Sequence, residues 1–520
     1  MALNLSAKVD CILINRMRLK LATLLLGTLV LLAARRSKAA SIPDRPEKLA
    51  FPRLAYEPPD PKTFRVQLKA GPVAYVVPDH ELPLVSINVM IRAGSYLDPA
   101  GKEGRAGFTG FLLTHGGTKS RTAEELEERL AFLAAQMGSN IGGDSGNVGI
   151  NLLSKDLAEG LAILREVLTE PRFQQDKLDL QRQQSIQGMK QRNDDSSSIE
   201  ARESEYLSYG TNFWSTREPT EKSVNSIERS DLEAYHKQWI HPGNFVVAAS
   251  GDFDREAMIA SLEKLFSDWP FKGEVAPAVP TNTAMASPGV YLVNKDVNQG
   301  RVSLILPGVK RDDPDYPAII VMNDILGGGG FTSRLVNRIR SDEGLAYSAG
   351  SAFHGGIYYP LAFNAELQSK SRTVAFATSI ILEEMKKIAS APVTDEELMT
   401  AKRSFTDTFS EYFSTKSKVA VQFARDEYTG RFATNPDFWK KWRSQIEKVS
   451  KDDVQRVAKD RLRPEKAVIL IVGQKDEVQK GQAEHPVKLS DLTSGNINDV
   501  PLRDPLTLEP MLPTPTPKTQ

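Results

Sequence analysis

The amino-acid sequence predicts an α+β fold built from two similar α/β-sandwich domains that a proline-rich linker joins. Segments typical of strands and helices alternate along the chain, and the second half repeats the order of the first. The stretch RVSLILPG at 301–308 stands where LVSINVMIRAG stands at 84–94. Both halves end in a proline turn, an apolar strand and a glycine, at 237–252 and 460–474. A repeat of element order over this length indicates a duplicated domain.

The first domain is expected at 63–269, and each of its elements follows from a local pattern. Leu84–Ile91 alternates apolar with small polar residues, as a half-buried strand does. Thr122 and Glu125 form a capping box at the start of a helix whose leucines recur at helical spacing. The remaining predicted elements of this domain are strands at 148–153 and 245–250 and helices at 154–168, 176–192 and 255–266.

The second domain is expected at 289–473 and follows the same plan. Before it, the segment 270–288 contains four prolines separated mainly by small residues, which is typical of an interdomain linker. A helix is predicted at 316–326. Thr394 and Glu397 form a second capping box, which predicts the start of a polar helix like the one in the first domain.

The composition is that of an ordinary globular protein, and it excludes some classes of function. Of the 520 residues, 40% are hydrophobic and 25% are charged, and 66 basic residues balance 66 acidic ones. The sequence contains no stripe of basic residues of the kind that indicates nucleic acid binding. Cys11, the single cysteine, lies before or within the signal described next, so the mature protein has no disulfide and no thiolate ligand. The proline-rich segments 41–62 and 474–520 predict an extended lead-in and a polar, disordered tail.

The N-terminus has the three parts of a secretory signal, which predicts a signal peptide at 1–40. Basic residues at 16–20 precede an apolar run at 21–34, and small residues follow at 37–40. The run is shorter than the roughly 20 residues of a membrane-spanning helix. We therefore expect an exported, periplasmic protein. Two alternatives stay open, a true start at Met17 and an uncleaved signal that anchors the protein to the inner membrane.

A motif that follows the first strand and loop ends just before the capped helix. Residues 104–118 read GRAGFTGFLLTHGGT. They resemble the signature G-x-A-H-F-x-E-H-x-x-F-x-G-T of the pitrilysin/insulinase zinc peptidases. In that family H-x-x-E-H lies on a helix, where the two histidines bind zinc and the glutamate deprotonates the zinc-bound water. A glutamate from a later helix is the third zinc ligand.

The resemblance implies that this chain has lost the catalytic residues while it keeps their frame. Gly107 and Phe111 stand where the two histidines belong, and Gly110 stands where the glutamate belongs. Gly188, in the stretch QGMKQRNDD, stands where the third ligand belongs. Neither glycine nor phenylalanine has a side-chain atom that coordinates zinc. We therefore expect no metal, no cofactor and no catalytic residue in this chain.

The histidines close to these positions do not restore a metal site. His115 has no second histidine at helical spacing and no adjacent acidic residue. His236 and His241 are five residues apart, in a segment whose family counterpart contains structural residues. We interpret all three as structural or surface histidines.

The second half contains a motif that resembles the family more closely. Residues 324–347 read DILGGGGFTSRLVNRIRSDEGLAY, and the family pattern is L-G-G-G-x-x-S-R-L-x-x-x-x-R-x-x-x-G-L-A-Y-S. The resemblance implies that Arg340 and Tyr347 face the zinc and hold backbone carbonyls of a peptide near the scissile bond. From the residues alone, the simpler interpretation is that Arg340 is a cation on a helix surface and that Tyr347 is a core residue at the start of a strand. The glycine run at 327–330 is not followed by the Gly-Lys-Ser/Thr of a phosphate loop.

The resemblance covers 63–473 and predicts a non-catalytic subunit. In the family, one chain can carry the zinc while a second carries the arginine–tyrosine pair, as in heterodimeric processing peptidases. We predict that this chain is the substrate-binding subunit of such a zinc-dependent peptidase, with peptides as substrates and zinc in a pitrilysin-type partner. A catalytically dead peptide-binding or scaffold protein is the alternative. The strand that takes a peptide in the family corresponds to 138–146, whose glycines predict weak peptide addition.

Overall fold

The computed structural model describes residues 45, 49 and 56–511. Every element described below lies in one compact unit that begins at Glu57. The predicted signal peptide at 1–40 lies outside the described residues. None of the helices in the described part has both the length and the apolar character that crossing a membrane requires.

The predicted strands and helices occur in the predicted order, and the structure contains further elements. In chain order the strands are β1 Arg65–Gln67, β2 Val73–Pro78, β3 Leu84–Ile91, β4 Gln136–Ile141, β5 Gly146–Leu153, β6 Phe245–Gly251, β7 Gly289–Asn294, β8 Gln299–Lys310, β9 Ala346–Phe353, β10 Gly355–Gly356, β11 Leu361–Lys370, β12 Val468–Gly473 and β13 Asn496–Val500. The α-helices are α1 Pro61–Phe64, α2 Arg105–His115, α3 Ala123–Phe132, α4 Leu157–Thr169, α5 Gln175–Lys190, α6 Ser196–Tyr209, α7 Glu221–Ser226, α8 Arg229–Trp239, α9 Arg255–Phe266, α10 Tyr316–Asn323, α11 Arg334–Val336, α12 Val374–Ser390, α13 Asp395–Thr406, α14 Lys416–Tyr428, α15 Arg431–Thr434, α16 Phe438–Lys448, α17 Lys451–Arg461 and α18 Lys475–Lys480.

The two sheets share one strand plan, which confirms the predicted two-domain α+β fold. The first sheet has the order β1-β2-β6-β3-β5-β4, and the second has the order β13-β7-β12-β8-β11-β9, with β10 paired to β8. In each sheet one inner pair is parallel, β2 with β6 and β7 with β12. The next three pairings in each sheet are antiparallel. The sheets differ at one outer strand, because β1 is antiparallel to β2 whereas β13 is parallel to β7.

Each sheet is covered partly by a helix from the other half of the chain. Helix α6 packs against β8 and β12 of the second sheet, where Ile199 lies in one apolar cluster with Leu470. Helix α14 packs against β2, β3 and β6 of the first sheet, where the Phe423 and Tyr75 ring centroids are 5.9 Å apart. The two halves are therefore interlocked. The domain boundaries proposed at 63–269 and 289–473 stay predictions, made along the sequence.

The segment between the halves lies against the first half. Residues 271–287 form neither helix nor strand. The Trp214 Nε1 group donates a hydrogen bond to the Pro280 carbonyl oxygen at 3.0 Å, and the Tyr96 hydroxyl donates one to the Pro277 carbonyl oxygen at 3.0 Å. These contacts fix the path of the proline-rich segment.

The expectation of a disordered tail after the second half is wrong for most of that segment. Helix α18 and strand β13 lie beyond Gly473, and β13 joins the second sheet. Arg503 then forms a 3.1 Å ion pair with Glu203 of the first half. Strand pairing and this ion pair order a segment whose polar composition, taken alone, predicts disorder.

Candidate functional site

Helix α2 carries three of the four positions where catalytic residues are missing. It begins after Gly104, whose φ of 102° lies in the left-handed region that glycine adopts readily. Apolar residues, including Phe108 and Leu112, are buried in the core of the first half and hold the helix in place. Gly107 is half-buried, and a Cβ atom added to it would meet no atom of a neighbouring element within 4 Å. A side chain at position 107 would thus have open space.

Gly110 differs from Gly107 because the backbone of β4 lies directly against it. A Cβ atom here would come within 2.2 Å of the Ile141 backbone nitrogen and 2.8 Å of the Asn140 carbonyl carbon. The Ser139 hydroxyl donates a 2.5 Å hydrogen bond to the Gly110 carbonyl oxygen and ties β4 to α2. The glutamate that the family motif has at this position would fit only if β4 moved.

Phe111 packs against its own helix. Its ring is half-buried and stacks on the His115 imidazole, with 4.2 Å between the ring centroids and 4° between the planes. The His115 Nδ1 atom lies 3.0 Å from the Phe111 carbonyl oxygen and 3.1 Å from the Thr114 Oγ1 atom. His115 therefore has a structural explanation as the stacking partner of Phe111.

Gly188 lies near the end of α5, which packs against α2. It is exposed, and a Cβ atom added to it would meet no atom of a neighbouring element within 4 Å. Gly107 and Phe111 thus lie on α2 and Gly188 lies on α5, and these two helices are in contact.

These positions do not fit a zinc ion. Gly107, Phe111 and Gly188 offer no donor atom, and tetrahedral zinc needs at least three protein ligands. In residues 56–511, no group of three or more histidine, cysteine, aspartate or glutamate side chains could hold a metal ion. No catalytic step in this chain is therefore assigned to zinc.

Both remaining candidate histidines have structural hydrogen bonds. The His236 Nε2 group donates to the Leu168 carbonyl oxygen at 2.8 Å, and burial lowers the pKa of His236 to about 4. His241 Nε2 donates to the Glu274 carbonyl oxygen at 2.8 Å, while its Nδ1 accepts from the Gly243 backbone nitrogen at 3.2 Å. The two imidazoles hold chain segments together and form no ligand pair.

The second-half motif brings Arg340 and Tyr347 together. The Arg340 guanidinium carbon lies 4.5 Å from the centroid of the Tyr347 ring and 4.7 Å from the centroid of the Phe331 ring. Both rings are largely exposed, at 82% for Tyr347 and 70% for Phe331. Within the described residues, the guanidinium makes no ion pair. Its N–H groups are therefore available to an acceptor from solution.

The backbone around Arg340 has two features that often mark functional sites. Residues Asp324–Gly328 and Asn337–Asp342 form π-helical turns next to α10 and α11. Arg334, at the start of α11, makes a bidentate pair with Glu397 of the α13 capping box, at 2.7 and 3.1 Å. This pair ties the loop that carries Phe331 to α13.

Phe331 was not among the residues that the sequence singled out. The sequence feature that could have identified it is its position directly after the glycine run. An aromatic residue that is exposed there does not contribute to the core. Spacing alone does not show that residues 331, 340 and 347 meet, because the irregular turns between them set their positions.

Strand β4 is an outer strand of the first sheet. Among the described strands it pairs only with β5, so no described strand lies on its other side. The segment predicted at 138–146 contains most of β4 and the turn that follows it. Weak peptide addition at this edge stays a prediction.

The fold and this site define a duplicated α/β-sandwich protein of the metallopeptidase type, with no donor atoms at its zinc positions. Residues 75–212 match the family model described as Insulinase (Peptidase family M16), and residues 226–405 match Peptidase M16 inactive domain. This chain therefore belongs to peptidase family M16, the insulinase family, which confirms the resemblance seen in its motifs.

The relatives in curated collections include named proteases and a processing peptidase. An "uncharacterized zinc protease" of Mycobacterium tuberculosis is 26% identical over 51% of this chain and 61% of its own length. A probable mitochondrial-processing peptidase subunit beta of Arabidopsis thaliana is 22% identical over 72% of this chain and 71% of its own length. This chain thus spans about three fifths of the length of the first relatives that it matches.

Solved structures of the same fold cover more of the chain. The peptidase M16 inactive domain from Pseudomonas fluorescens has a TM-score of 0.70 at 23% identity, covering 79% of this chain and 97% of that one. A protease from Helicobacter pylori has a TM-score of 0.66 at 19% identity, covering 79% and 98%. The periplasmic protease PqqL from Escherichia coli has a TM-score of 0.65 at 13% identity, covering 78% and 45%. At these identities the likeness concerns the fold.

Proposed function

We propose that this chain is the non-catalytic, substrate-binding subunit of a heterodimeric zinc-dependent peptidase. The contrast between its two motifs carries the proposal. The zinc positions Gly107, Phe111 and Gly188 have no donor atoms, while Arg340 and Tyr347 are stacked together at the surface. In this arrangement of the active site, the partner chain supplies the zinc and this chain supplies the groups that hold the peptide.

Arg340 and Tyr347 have the chemistry that this role requires. A guanidinium that lies over two ring faces is held without using its planar N–H groups, so it binds a carbonyl oxygen with little further loss of side-chain freedom. The Tyr347 hydroxyl is a second donor on the same cluster. Two such donors can hold a peptide carbonyl and stabilise the negative charge that develops on its oxygen during hydrolysis.

The proposal includes a partner chain and an exported location. A relative is named as the beta subunit of a processing peptidase, a name that denotes an enzyme with more than one subunit. A protein of the same fold is titled a periplasmic protease. We extend both to this chain as part of the proposal, together with the signal peptide at 1–40.

Purification from the native cells tests this function. A tagged full-length chain is isolated from the periplasmic fraction, and the zinc content and peptide hydrolysis of the complex and its separated chains are measured. We expect a second, zinc-containing chain, with hydrolysis only when both chains are present and loss of hydrolysis on chelation. Recovery of this chain without a peptidase, with no hydrolysis in any fraction, supports the alternative of a scaffold or peptide-binding protein.

A further inference from the structure

A cavity of about 810 Å³ is lined by second-half residues and by Asp144 of the first half, and it lies at the place that corresponds to the degenerate zinc site of the first half. Because the two sheets share one strand plan, α10 after β8 corresponds to α2 after β3. Helix α13 likewise corresponds to α5, since each is the second helix after the matching strand. Residues of α10 and α13 line the cavity, as does the end of β9. Its volume is within the range of roughly 300–1,000 Å³ of ligand pockets.

The cavity has aromatic walls. The ring centroids of Tyr412 and Trp439 are 5.1 Å apart, and those of Phe438 and Trp442 are 5.2 Å apart. Trp439 and Trp442 are almost fully buried, whereas Tyr412 is 44% exposed and accessible from solvent. Walls of this kind favour an aromatic group, because stacked and edge-on ring contacts add to the burial of apolar surface.

The deeper charged groups of the cavity already have partners. The Asp426 carboxylate accepts a 2.7 Å hydrogen bond from Trp439 Nε1 and lies 3.5 Å from Arg431 Nε. Arg311 donates to the Thr429 hydroxyl at 2.8 Å and to the Thr429 carbonyl oxygen at 2.7 Å. These groups hold α14 and the turn after it in place.

Arg425 is different, although it lines the same cavity. Its side chain is exposed, and within residues 56–511 its guanidinium makes no hydrogen bond and no ion pair. Two further carboxyl groups, Asp144 and Asp324, line the wall, and Asp324 accepts a 3.2 Å hydrogen bond from the Ser404 hydroxyl. Among the described residues that line the cavity, Arg425 is thus the cation that is available to an anionic group of a ligand.

The neighbouring sheet edge indicates that the ligand is a peptide. Strand β9 is the outer strand of the second sheet, and among the described strands it pairs only with β11. Its last residues, Ser351 to Phe353, line the cavity. The Asn323 side chain donates to the Ser351 carbonyl oxygen at 3.0 Å, so an extended peptide would add to this edge beyond Ser351, where it is directed towards the aromatic walls.

We propose that this cavity binds the C-terminal residue of a peptide that ends in an aromatic side chain. The ring lies among Tyr412, Trp439 and Trp442, and the terminal carboxylate pairs with Arg425. The proposal rests on the proposed function only in taking a peptide as the ligand. It adds a second binding site, formed mainly by the second half, and a preference for one kind of peptide end.

Calorimetric titration of the full-length chain with matched short peptides tests the site. The probes are a peptide that ends in phenylalanine, the same peptide with a C-terminal amide, and one that ends in glycine. We expect the phenylalanine acid to bind about tenfold or more tightly than its amide, since a charge-assisted contact is worth about 1.5–3 kcal/mol. The glycine peptide should bind more weakly than the phenylalanine acid.

Two variants assign the effect to the cavity. Arg425→Gln should remove the preference for the acid over the amide, whereas the control Arg229→Gln, on a surface helix of the first half, should preserve it. Tyr412→Ala should weaken the acid and the amide alike. Equal binding of acid and amide by the native chain, no binding of either, or an acid preference that survives in Arg425→Gln overturns the proposal. These titrations need no partner, so their failure is separate from failure to find a zinc-bearing subunit.

Discussion

At the scale of the residue, Arg340 differs from the other arginines of its motif. Arg334 is held by Glu397 at 2.7 Å, and Arg338 is held by Glu343 at 2.9 Å. Arg340 instead contacts the faces of two aromatic rings. A carboxylate would occupy the N–H groups of the guanidinium, whereas a ring face leaves them free for a ligand. The family motif predicts Arg340 and Tyr347 from the sequence, but the contacts that separate Arg340 from its neighbours need the fold.

Replacing Tyr347 with phenylalanine tests the role of one hydroxyl group. We expect Tyr347→Phe to lower peptide turnover by the reconstituted complex by about 10²-fold, because loss of one positioned donor to a developing oxyanion typically costs about 10²–10³-fold. The ring contact with Arg340 stays, so thermal unfolding should not change. The measurement is the initial rate of peptide hydrolysis, with thermal unfolding of the same protein beside it.

Tyr291→Phe is the matched control, since its hydroxyl donates to the Ser287 carbonyl oxygen away from the Arg340 cluster. It should leave turnover unchanged. Arg340→Lys should also lower turnover, because an ammonium group lacks the planar fork. Full activity in a stable Tyr347→Phe complex would remove the assigned role of this hydroxyl.

At the scale of the element, the packing of β4 on α2 distinguishes the positions that lost catalytic residues. Gly107 and Gly188 have open space for a side chain, whereas Gly110 lies against the backbone of β4. From the sequence, all three positions are predicted only to lack a catalytic side chain, since the sequence does not show what surrounds each glycine. The structure shows that the loss at Gly110 is coupled to the position of a strand.

Restoring the ligands alone should create a zinc site. We expect the triple variant Gly107→His, Phe111→His and Gly188→Glu to bind about one zinc per chain, because two histidines and a glutamate form a known catalytic ligand set. Adding Gly110→Glu should destabilise that protein by about 1–3 kcal/mol, the usual cost of overpacking. Zinc content is measured by elemental analysis and stability by urea unfolding.

The same three positions changed to glutamine give the control, which should take up no zinc. A folded triple variant that also binds none would show that the two helices do not present these positions to one ion. Equal stability with and without Gly110→Glu would show that β4 moves at little cost in free energy.

The elements themselves differ in how well local sequence predicts them. Strand Leu84–Ile91 and helix Arg255–Phe266 have the predicted bounds, because alternation and helical spacing are local patterns. The capping box of Thr122 and Glu125 is also formed, and so is the one that begins α13. Strand β13 was missed, since three of its five residues are polar and it is held by pairing with a strand about 200 residues earlier.

At the scale of the whole molecule, the C-terminal segment joins the two halves. Strand β13 belongs to the second sheet, and the residues after it contact the first half. Arg503 pairs with Glu203 at 3.1 Å, and the Asn193 side chain donates to the Arg503 carbonyl oxygen at 2.7 Å. The Glu221 backbone nitrogen donates to the Leu506 carbonyl oxygen at 2.9 Å. Composition could not predict these contacts, because they depend on the interlocked arrangement of the halves.

Removing one ion pair tests this connection. We expect Arg503→Ala to lower the free energy of unfolding by about 1–3 kcal/mol, since Glu203 is buried and loses a charged donor. Arg255→Ala, on an exposed helix where Arg255 pairs with Glu256, should change it by less than about 0.5 kcal/mol. Urea unfolding of both variants checks this. Equal stability of the two would mean that the segment does not hold the halves together in solution.

The central claim is that the catalytic metal lies outside this chain. The most direct measurement is the zinc content of the purified full-length chain after exposure to zinc and removal of the excess. We predict far less than one zinc per chain and no hydrolysis of unfolded peptides, because Gly107, Phe111 and Gly188 provide no donor atoms. Near-equimolar zinc that a chelator removes, together with hydrolysis by the isolated chain, would contradict the account.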